Sequence, residues 1–345
     1  MTLRGEIFEQ PAILGRMLAR QHEPARRMAA TIQARDPRWV FIAARGSSDN
    51  AALYAKYVWG ARNGLAVAMA TPSLFTLYGA PPRLDGALVV GISQSGRSPD
   101  IVSVLAEARR QGALTLAITN QPESPLAAEA DLVFDTGTGP ELAIAATKTY
   151  TAQLLAIAML SAALQGDERA QRELERVPDL VAEGLALDAD VASAAAPYRS
   201  MTQCIVLGRG FNYATAYEWS LKLKELTYVL AEPYSSADFR HGPMAVVHRG
   251  FPVLAVAPAG AVFDDVMALL SKLQAERRIE LVAISNEPRA LGLAHTPLPL
   301  PAALPEWLSP LASVVPAQLF CLHLAAAMGL DAEAPRGLTK VTETW

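Results

Sequence analysis

The sequence predicts an α/β fold of two tandem, doubly wound (flavodoxin-like) domains, each built on a parallel sheet. The chain has 345 residues, which is long for a single core. Short apolar runs alternate with segments of helical spacing, as parallel sheets require. The chain also repeats itself weakly. Ile42 to Gly46 is echoed by Val206 to Gly210, and Ala117 to Asn120 by Ala283 to Asn286, at offsets of 164 and 166 positions.

The predicted elements follow the same order in both halves. The layout is an N-terminal helical segment (1–30, with a helix at Ile7–Met28), a first domain (31–166), a charged helical connector (167–197), a second domain (198–330) and a C-terminal tail (331–345). Strands are predicted near Trp39–Ala44, Ala87–Ile92, Leu114–Ile118 and Leu132–Asp135 in the first domain, and near Cys204–Leu207, Pro252–Ala257, Leu281–Ile284 and Thr296–Leu300 in the second.

A tight turn rich in hydroxyl groups follows the predicted strand at Ala87–Ile92. An amphipathic helix then begins near Ile101. Backbone N–H groups and the helix dipole favour an anion at such a place. The turn lacks the Gly-Lys-Ser/Thr of a nucleotide P-loop, and Arg97 is its one charged residue, which suits a small phosphate ester. The candidate phosphate ligands here are Ser93, Gln94, Ser95 and Ser98.

A second turn of the same kind follows the strand at Trp39–Ala44 and precedes a helix predicted from about Ala51 to Gly60. It contributes Gly46, Ser47 and Ser48. Open α/β sheets bind ligands at the carboxyl edge of their strands, so both turns are expected to meet one phosphate. The matching turns of the second half, 210–212 and 257–260, carry no hydroxyl groups. We therefore predict one phosphate site per chain, in the first half.

Composition narrows the class of protein. The net charge of −4, without a basic stripe, gives no reason to expect a nucleic-acid partner. Cys204 and Cys321 lie in apolar runs and are interpreted as reduced core residues of a cytoplasmic protein. The N-terminus lacks the apolar core of a signal peptide, and Leu311–Leu330 is predicted to be a buried helix and not a membrane span. Neither a metal nor a cofactor is predicted.

Further motifs follow in a fixed order along the chain. They are Ala145 to Thr149 (AATKT), Glu218 to Glu225 (EWSLKLKE), Arg240 to Pro243 (RHGP) and Pro335 to Lys340 (PRGLTK). Together with the Gly-Ser-Ser and Ser-Gln-Ser-Gly-x-Ser-x-Asp turns, they resemble the sugar isomerase (SIS) domain family. Within that family they resemble the isomerase half of glutamine–fructose-6-phosphate amidotransferase and its free-standing deaminase relatives. The resemblance runs from about Gly5 to Trp345 and implies a sugar phosphate as substrate.

The candidate proton-transfer residue is Glu225. Taken alone, the Lys/Glu run on a helix predicted at Tyr213–Leu230 is typical of a solvated helix face. The resemblance implies instead that Glu225 moves a proton between C1 and C2 of the sugar. Lys222 shares its face and resembles a substrate-side lysine, whereas Lys224 lies on a different face and resembles scaffold.

The resemblance assigns further roles. It implies that His241 opens the sugar ring and is supplied by the neighbouring subunit of a homodimer. It implies that the tail closes over the active site and that Lys340 reaches the carbonyl end of the sugar, either as an imine or as a hydrogen-bond donor. Backbone atoms of Ile144 to Ala146 are expected to contact the sugar. Ala146 replaces a serine common in the family, and Leu74 a glutamate.

Several reactions remain open at this stage. No amidotransferase module is expected, because Thr2 and not cysteine follows Met1. The leading expectation is therefore conversion of glucosamine 6-phosphate to fructose 6-phosphate and ammonia. A fructosamine-6-phosphate deglycase and a simple phosphosugar isomerase are alternatives of the same fold. A non-catalytic sugar-phosphate sensor is the alternative from another class.

Overall fold

Two five-stranded parallel sheets organise the chain, and the computed structural model describes residues 2–340 and 344. The first sheet contains β1 (Trp39–Ala43), β2 (Ala66–Met69), β3 (Ala87–Ser93), β4 (Leu114–Thr119) and β5 (Leu132–Asp135), in the order β2-β1-β3-β4-β5. The second contains β6 (Gln203–Gly208), β7 (Leu230–Ser235), β8 (Pro252–Val256), β9 (Glu280–Ser285) and β10 (Thr296–Pro299), in the order β10-β9-β8-β6-β7.

Fifteen α-helices accompany these strands in the part of the chain that is described. They are α1 (Leu3–Phe8), α2 (Gln10–Arg35), α3 (Ser47–Asn63), α4 (Ser73–Thr76), α5 (Pro99–Arg110), α6 (Pro125–Ala128), α7 (Lys148–Gln165), α8 (Glu168–Glu175), α9 (Val177–Leu185), α10 (Asp188–Ala195), α11 (Tyr213–Thr227), α12 (Ser236–Phe239), α13 (Phe263–Arg277), α14 (Pro288–Leu293) and α15 (Ser309–Ala327).

Both sheets have the same strand order when their strands are numbered from the start of each half, 2-1-3-4-5, and every pairing is parallel. This is the flavodoxin-like doubly wound order. The predicted fold class and the internal repeat are therefore confirmed.

Two edge strands, β2 and β7, were not predicted from the sequence, and the prediction was wrong where β7 lies. The sequence predicts a helix that runs to Leu230 and no strand from there to Pro252, yet the helix ends at Thr227 and Leu230–Ser235 form β7 in parallel register with β6. Pro233 interrupts the strand pattern in the sequence, but an edge strand tolerates a proline because one side of its backbone needs no partner. The other edge strand, β2, is only four residues long.

Each sheet buries its own apolar core. The first core includes Phe41 and Val89 from the sheet with Ile101 and Leu105 from α5. The second core includes residues of β6, β8 and β9, packed against α13. Burial of apolar surface of this kind is the main force that holds parallel sheets between helices.

The described residues divide into two compact units. The first-sheet unit contains residues 12–141, 148–176, 339–340 and 344, and the second-sheet unit contains residues 2–11, 142–147 and 177–338. The domain limits predicted from the sequence remain predictions. Of the predicted N-terminal segment and tail, Met1, residues 341–343 and residue 345 lie outside the described part.

The helical predictions hold with changes at their ends. The single N-terminal helix expected at Ile7–Met28 is two helices, α1 and α2, and the connector is the three helices α8, α9 and α10. Residues Glu306–Ala327 have the length and mean hydropathy (1.5) of a membrane span, but 78% of their most apolar window is buried inside the protein. Such burial is typical of a core helix, as the sequence predicts.

Candidate active site

The two predicted phosphate turns lie side by side in the first-sheet unit. Strands β1 and β3 are paired from Trp39 with Ala87 to Ala43 with Gly91, and each leads directly into one turn. The strand order reverses between them, since β2 lies beyond β1 whereas β4 and β5 lie beyond β3. Ligands bind at such a switch point in open α/β sheets. A phosphate site there remains a prediction.

The turn after β1 places two serines in the first turn of α3, which begins at Ser47 and not near Ala51 as predicted. Gly46 precedes the helix with φ 56°, a left-handed conformation that favours glycine. Ser48 is 8% exposed, and its hydroxyl accepts a hydrogen bond from Gln153 Nε2 at 3.0 Å. A hydroxyl that accepts one bond keeps its own hydrogen for an anion.

The turn after β3 is fixed by its own hydroxyl groups. Ser93 Oγ accepts from the backbone N–H of Gly96 at 3.1 Å, and Ser95 Oγ accepts from that of Arg97 at 3.4 Å. Gly96 has φ 62°, and a Cβ there would lie 2.0 Å from Ser124 Oγ, so the turn requires glycine. Ser98 precedes α5 but its side chain makes no capping bond to the helix.

An ion pair that sequence reasoning missed joins the two turns. Arg45 Nε donates to Asp100 Oδ2 at 2.9 Å, Arg45 Nη2 lies 2.9 Å from the same oxygen, and the Asp100 side chain is fully buried. The backbone N–H of Ile101 donates to the other carboxylate oxygen at 2.9 Å. The signal was present, because Asp100 ends the Ser-x-Asp motif and Arg45 begins the first turn. A charge-assisted bond between a half-exposed arginine and a buried carboxylate holds the two turns in one arrangement.

The second-sheet unit contains a buried acidic and basic cluster on one face of α11. Lys222, with 2% of its side chain exposed, donates from Nζ to Glu225 and lies 3.5 Å from Glu218 Oε1. Glu218 is fully buried, whereas the Glu225 side chain is 22% exposed. Lys224 is exposed on another face, as predicted. The cluster is therefore not a solvated helix face, and Glu225 is the member whose side chain is partly exposed.

His241 is exposed and follows α12 at the carboxyl end of β7. The residues just before it are held by Asp265 on α13. This carboxylate accepts from Ser236 Oγ at 2.7 Å, from Arg240 Nη1 at 2.7 Å and from Arg209 Nη1 at 2.5 Å. Sequence reasoning missed Asp265, because its partners are distant in the chain. The network fixes the backbone that presents His241.

Burial alone would raise the pKa of Asp265, but hydrogen bonds from Ser236 and Arg240 and the charge of Arg209 outweigh burial and lower it. A lowered carboxyl pKa stabilises the fold above the unfolded-state pKa of about 4, and this stabilisation is lost as pH falls through the lower folded-state pKa. We therefore expect Asp265→Asn to be less stable than the wild type at pH 7, with a difference that shrinks below pH 4. Urea unfolding at pH 7, 5 and 3 measures it.

The neighbouring Asp264 supplies the control for this measurement. Its side chain is 85% exposed and pairs only at the surface with Arg289 at 2.7 Å. Exposed pairs contribute little, so Asp264→Asn should unfold like the wild type at every pH. A stability difference for Asp265→Asn that is the same at pH 7 and pH 3 would contradict the prediction.

The first-sheet unit contains Lys340, and its partner is a carboxylate that sequence reasoning missed. Lys340 Nζ donates to Glu141 Oε2 at 2.7 Å, and the Glu141 side chain is fully buried. Thr149 donates to the same carboxylate from its backbone N–H at 3.1 Å and its hydroxyl at 2.7 Å. Glu141 thus connects the predicted tail to the start of α7. Sequence reasoning could have found Glu141, because it lies four positions before the AATKT motif at Ala145 to Thr149.

The sugar contacts predicted at Ile144 to Ala146 fall in the segment of residues 142–147, which belongs to the second-sheet unit. Its residues alternate in burial: Ala143, Ala145 and Thr147 are buried, whereas Ile144 and Ala146 are partly exposed. The segment has no regular helix or strand. Ile144 and Ala146, the two candidate residues, therefore lie on the same, more exposed side of the segment.

Comparison with known proteins shows which family this chain belongs to. The model of the SIS domain matches residues 35–163 and 198–328. The chain belongs to the SIS domain family. It is 36% identical over 352 residues to the glutamine–fructose-6-phosphate aminotransferase (isomerizing) of Gloeobacter violaceus, which covers 97% of this chain. The chain spans only 57% of that relative's length.

Solved structures of SIS proteins have the same architecture. The C-terminal domain of glucosamine-fructose-6-phosphate aminotransferase from Francisella tularensis superposes with a TM-score of 0.87 at 28% identity, covering 97% of this chain and 98% of that one. The glucosamine-6-phosphate deaminase of Thermotoga maritima gives a TM-score of 0.77 at 20% identity, covering 99% and 100%. The second likeness concerns the fold alone. Both SIS matches fall on the two sheets described above.

Proposed function

We propose that this SIS protein is a phosphosugar isomerase of the deaminase type, which converts glucosamine 6-phosphate and water to fructose 6-phosphate and ammonia. The observation that carries the proposal is the partly exposed Glu225 carboxylate, paired with the buried Lys222. A carboxylate with a fixed position and remaining access to solvent suits proton transfer to and from a bound sugar. The glutamine–fructose-6-phosphate aminotransferase that aligns with 97% of this chain acts, by its name, on fructose 6-phosphate.

The proposed reaction assigns one role to each candidate residue. The Ser and Gly turns at 46–48 and 93–98 bind the phosphate ester, and His241 protonates the ring oxygen so that the sugar opens. Glu225 takes the proton from C2 and returns it to C1 while one proton of the amine passes to O1, which converts the amino aldose to a ketimine. Water then adds to the C=N bond, and ammonia leaves. Lys340 orients the carbonyl end of the open chain.

In this proposal the amino group of the sugar leaves as free ammonia. Hydrolysis of glutamine by a cysteine needs an accessible thiolate. Both cysteines of the sequence are buried, and burial raises the pKa of Cys204 to about 12 and that of Cys321 well above its usual range. These thiols therefore favour a core role, and we also propose a cytoplasmic location, where they stay reduced.

One assay tests the proposed function against its alternatives. The purified protein is incubated with glucosamine 6-phosphate, fructoselysine 6-phosphate and glucose 6-phosphate, and ammonia, free lysine and ketose phosphate are measured. We expect ammonia release from glucosamine 6-phosphate to be fastest. Faster lysine release would establish a deglycase, and ketose formation from glucose 6-phosphate alone a simple isomerase. Binding of these sugars without any turnover would establish a sensor.

We further propose a homodimer in which each active site uses His241 of the partner subunit. Mixing His241→Ala with Glu225→Gln protein and allowing subunits to exchange should then restore activity. Half of the dimers in an equal mixture are hybrids, and each hybrid has one intact site, so roughly a quarter of all sites recover. The measurement is ammonia release before and after exchange. Failure of every mixture to exceed its two components would disprove the shared site.

A further inference from the structure

A buried glutamate on the first helix holds the segment that carries Ile144 and Ala146. Glu6 on α1 is fully buried. Its Oε1 accepts from the backbone N–H of Leu142 at 2.5 Å, and its Oε2 accepts from that of Ala143 at 3.1 Å. Each of two consecutive N–H groups thus has its own carboxylate oxygen. Bonds of this charge-assisted kind are stronger than bonds between neutral groups.

Helix α1 is itself firmly anchored, so Glu6 has a fixed position. Thr2 Oγ1 accepts from the N–H of Gly5 at 3.1 Å at the start of the helix. The N–H of Leu3 donates to both carboxylate oxygens of Glu333, at 2.8 and 3.0 Å. Leu3 and Ile7 are buried beside Glu6. The support under the segment is therefore a packed helix and not a mobile terminus.

We propose that Glu6 is a positioning residue, which sets the side of residues 142–147 that meets the sugar. The segment has no helix or strand bonds of its own to fix it, yet Ile144 and Ala146 must be presented together. Glu6 holds the first two N–H groups of the segment, those of Leu142 and Ala143. Buried and partly exposed residues alternate from Ala143 onward, so the position of these two groups sets which residues point inward. The inference rests on the proposed function, since it assumes that this segment contacts a sugar phosphate.

Glu6→Gln tests the proposal with almost no change of shape. An amide has one acceptor oxygen and one donor NH₂ group, so one of the two segment N–H groups would face a donor. Affinity for glucitol 6-phosphate, which cannot react, is measured by calorimetry beside affinity for inorganic phosphate. We expect the sugar phosphate to bind about tenfold more weakly, as loss of one buried hydrogen bond predicts, while phosphate affinity stays unchanged.

Arg4→Gln is the control, because Arg4 lies on the same helix but is exposed and pairs at the surface with Asp188, without touching Leu142 or Ala143. It should bind both probes like the wild type. If Glu6→Gln does not fold, Glu6→Asp keeps both acceptors but withdraws them by one methylene, and the same selective loss is expected. Unchanged affinity for both probes, or an equal loss for both, would overturn the positioning role. Failure of the proposed function would look different, because the wild type itself would then not bind glucitol 6-phosphate.

Discussion

Replacing Glu225 by glutamine is expected to lower kcat for glucosamine 6-phosphate by about 10²–10⁴-fold, the contribution typical of a general base. Glutamine keeps the size of the side chain but cannot take the C2 proton. The KM should change little, because in the proposed site the phosphate ester is bound by hydroxyl and backbone groups elsewhere in the sequence. This is the pattern of an interaction used only in the transition state. Steady-state ammonia release gives both constants.

Lys224→Gln is the control for this experiment, because Lys224 is exposed two positions from Lys222 on the same helix. It should retain wild-type kcat and KM. A Glu225→Gln protein that turned over normally would refute the assignment of Glu225 as the base. Another carboxylate, or the sensor function, would then have to be considered.

Replacing Lys222 by methionine is expected to destabilise the fold by about 3–5 kcal/mol, the usual cost of breaking a buried ion pair by removing one partner. Lys222 is the cation between Glu218 and Glu225, and its own side chain is only 2% exposed. Without it, the fully buried Glu218 would face Glu225 with no ammonium between them. The free energy of unfolding, measured with urea at pH 7, tests this directly.

A second substitution identifies the cause of that loss. The double variant Glu218→Gln with Lys222→Met removes the buried negative charge as well, so part of the lost stability should return. Lys224→Met, at an exposed position of the same helix, should unfold within about 0.5 kcal/mol of the wild type. If Lys222→Met were equally stable, the three side chains would not act as a buried charge cluster.

Much of the architecture follows from local patterns in the sequence. Eight of the ten strands begin and end within about two residues of their predicted limits, because buried parallel strands are short apolar runs between turn residues. The two strands that were not predicted, β2 and β7, are edge strands. An edge strand needs neither a continuous apolar run nor a full set of backbone donors, so Pro233 hid β7 from a pattern search.

The candidate site divides in a similar way between sequence and structure. The sequence by itself determined the chemistry-bearing motifs: the two Ser/Gly turns, Glu225 with Lys222, His241 and Lys340. The turns could be predicted from turn residues and helix spacing, whereas Glu225, Lys222, His241 and Lys340 were singled out by motifs that resemble those of the SIS family. Ser47 and Ser48 could be proposed as phosphate ligands even though the start of their helix was misplaced, since the turn chemistry does not depend on the helix boundary.

Only the tertiary structure decided which groups hold those residues in place. Asp100 meets Arg45, Asp265 meets Arg209, Glu141 meets Lys340 and Glu6 meets Leu142, each across 25 or more positions of the chain. A buried carboxylate must find hydrogen-bond donors or it is too costly to bury, but nothing local says where in the chain those donors are. Local sequence specifies turns, helices and reactive groups, whereas the partners of buried charges are settled only when distant segments pack together.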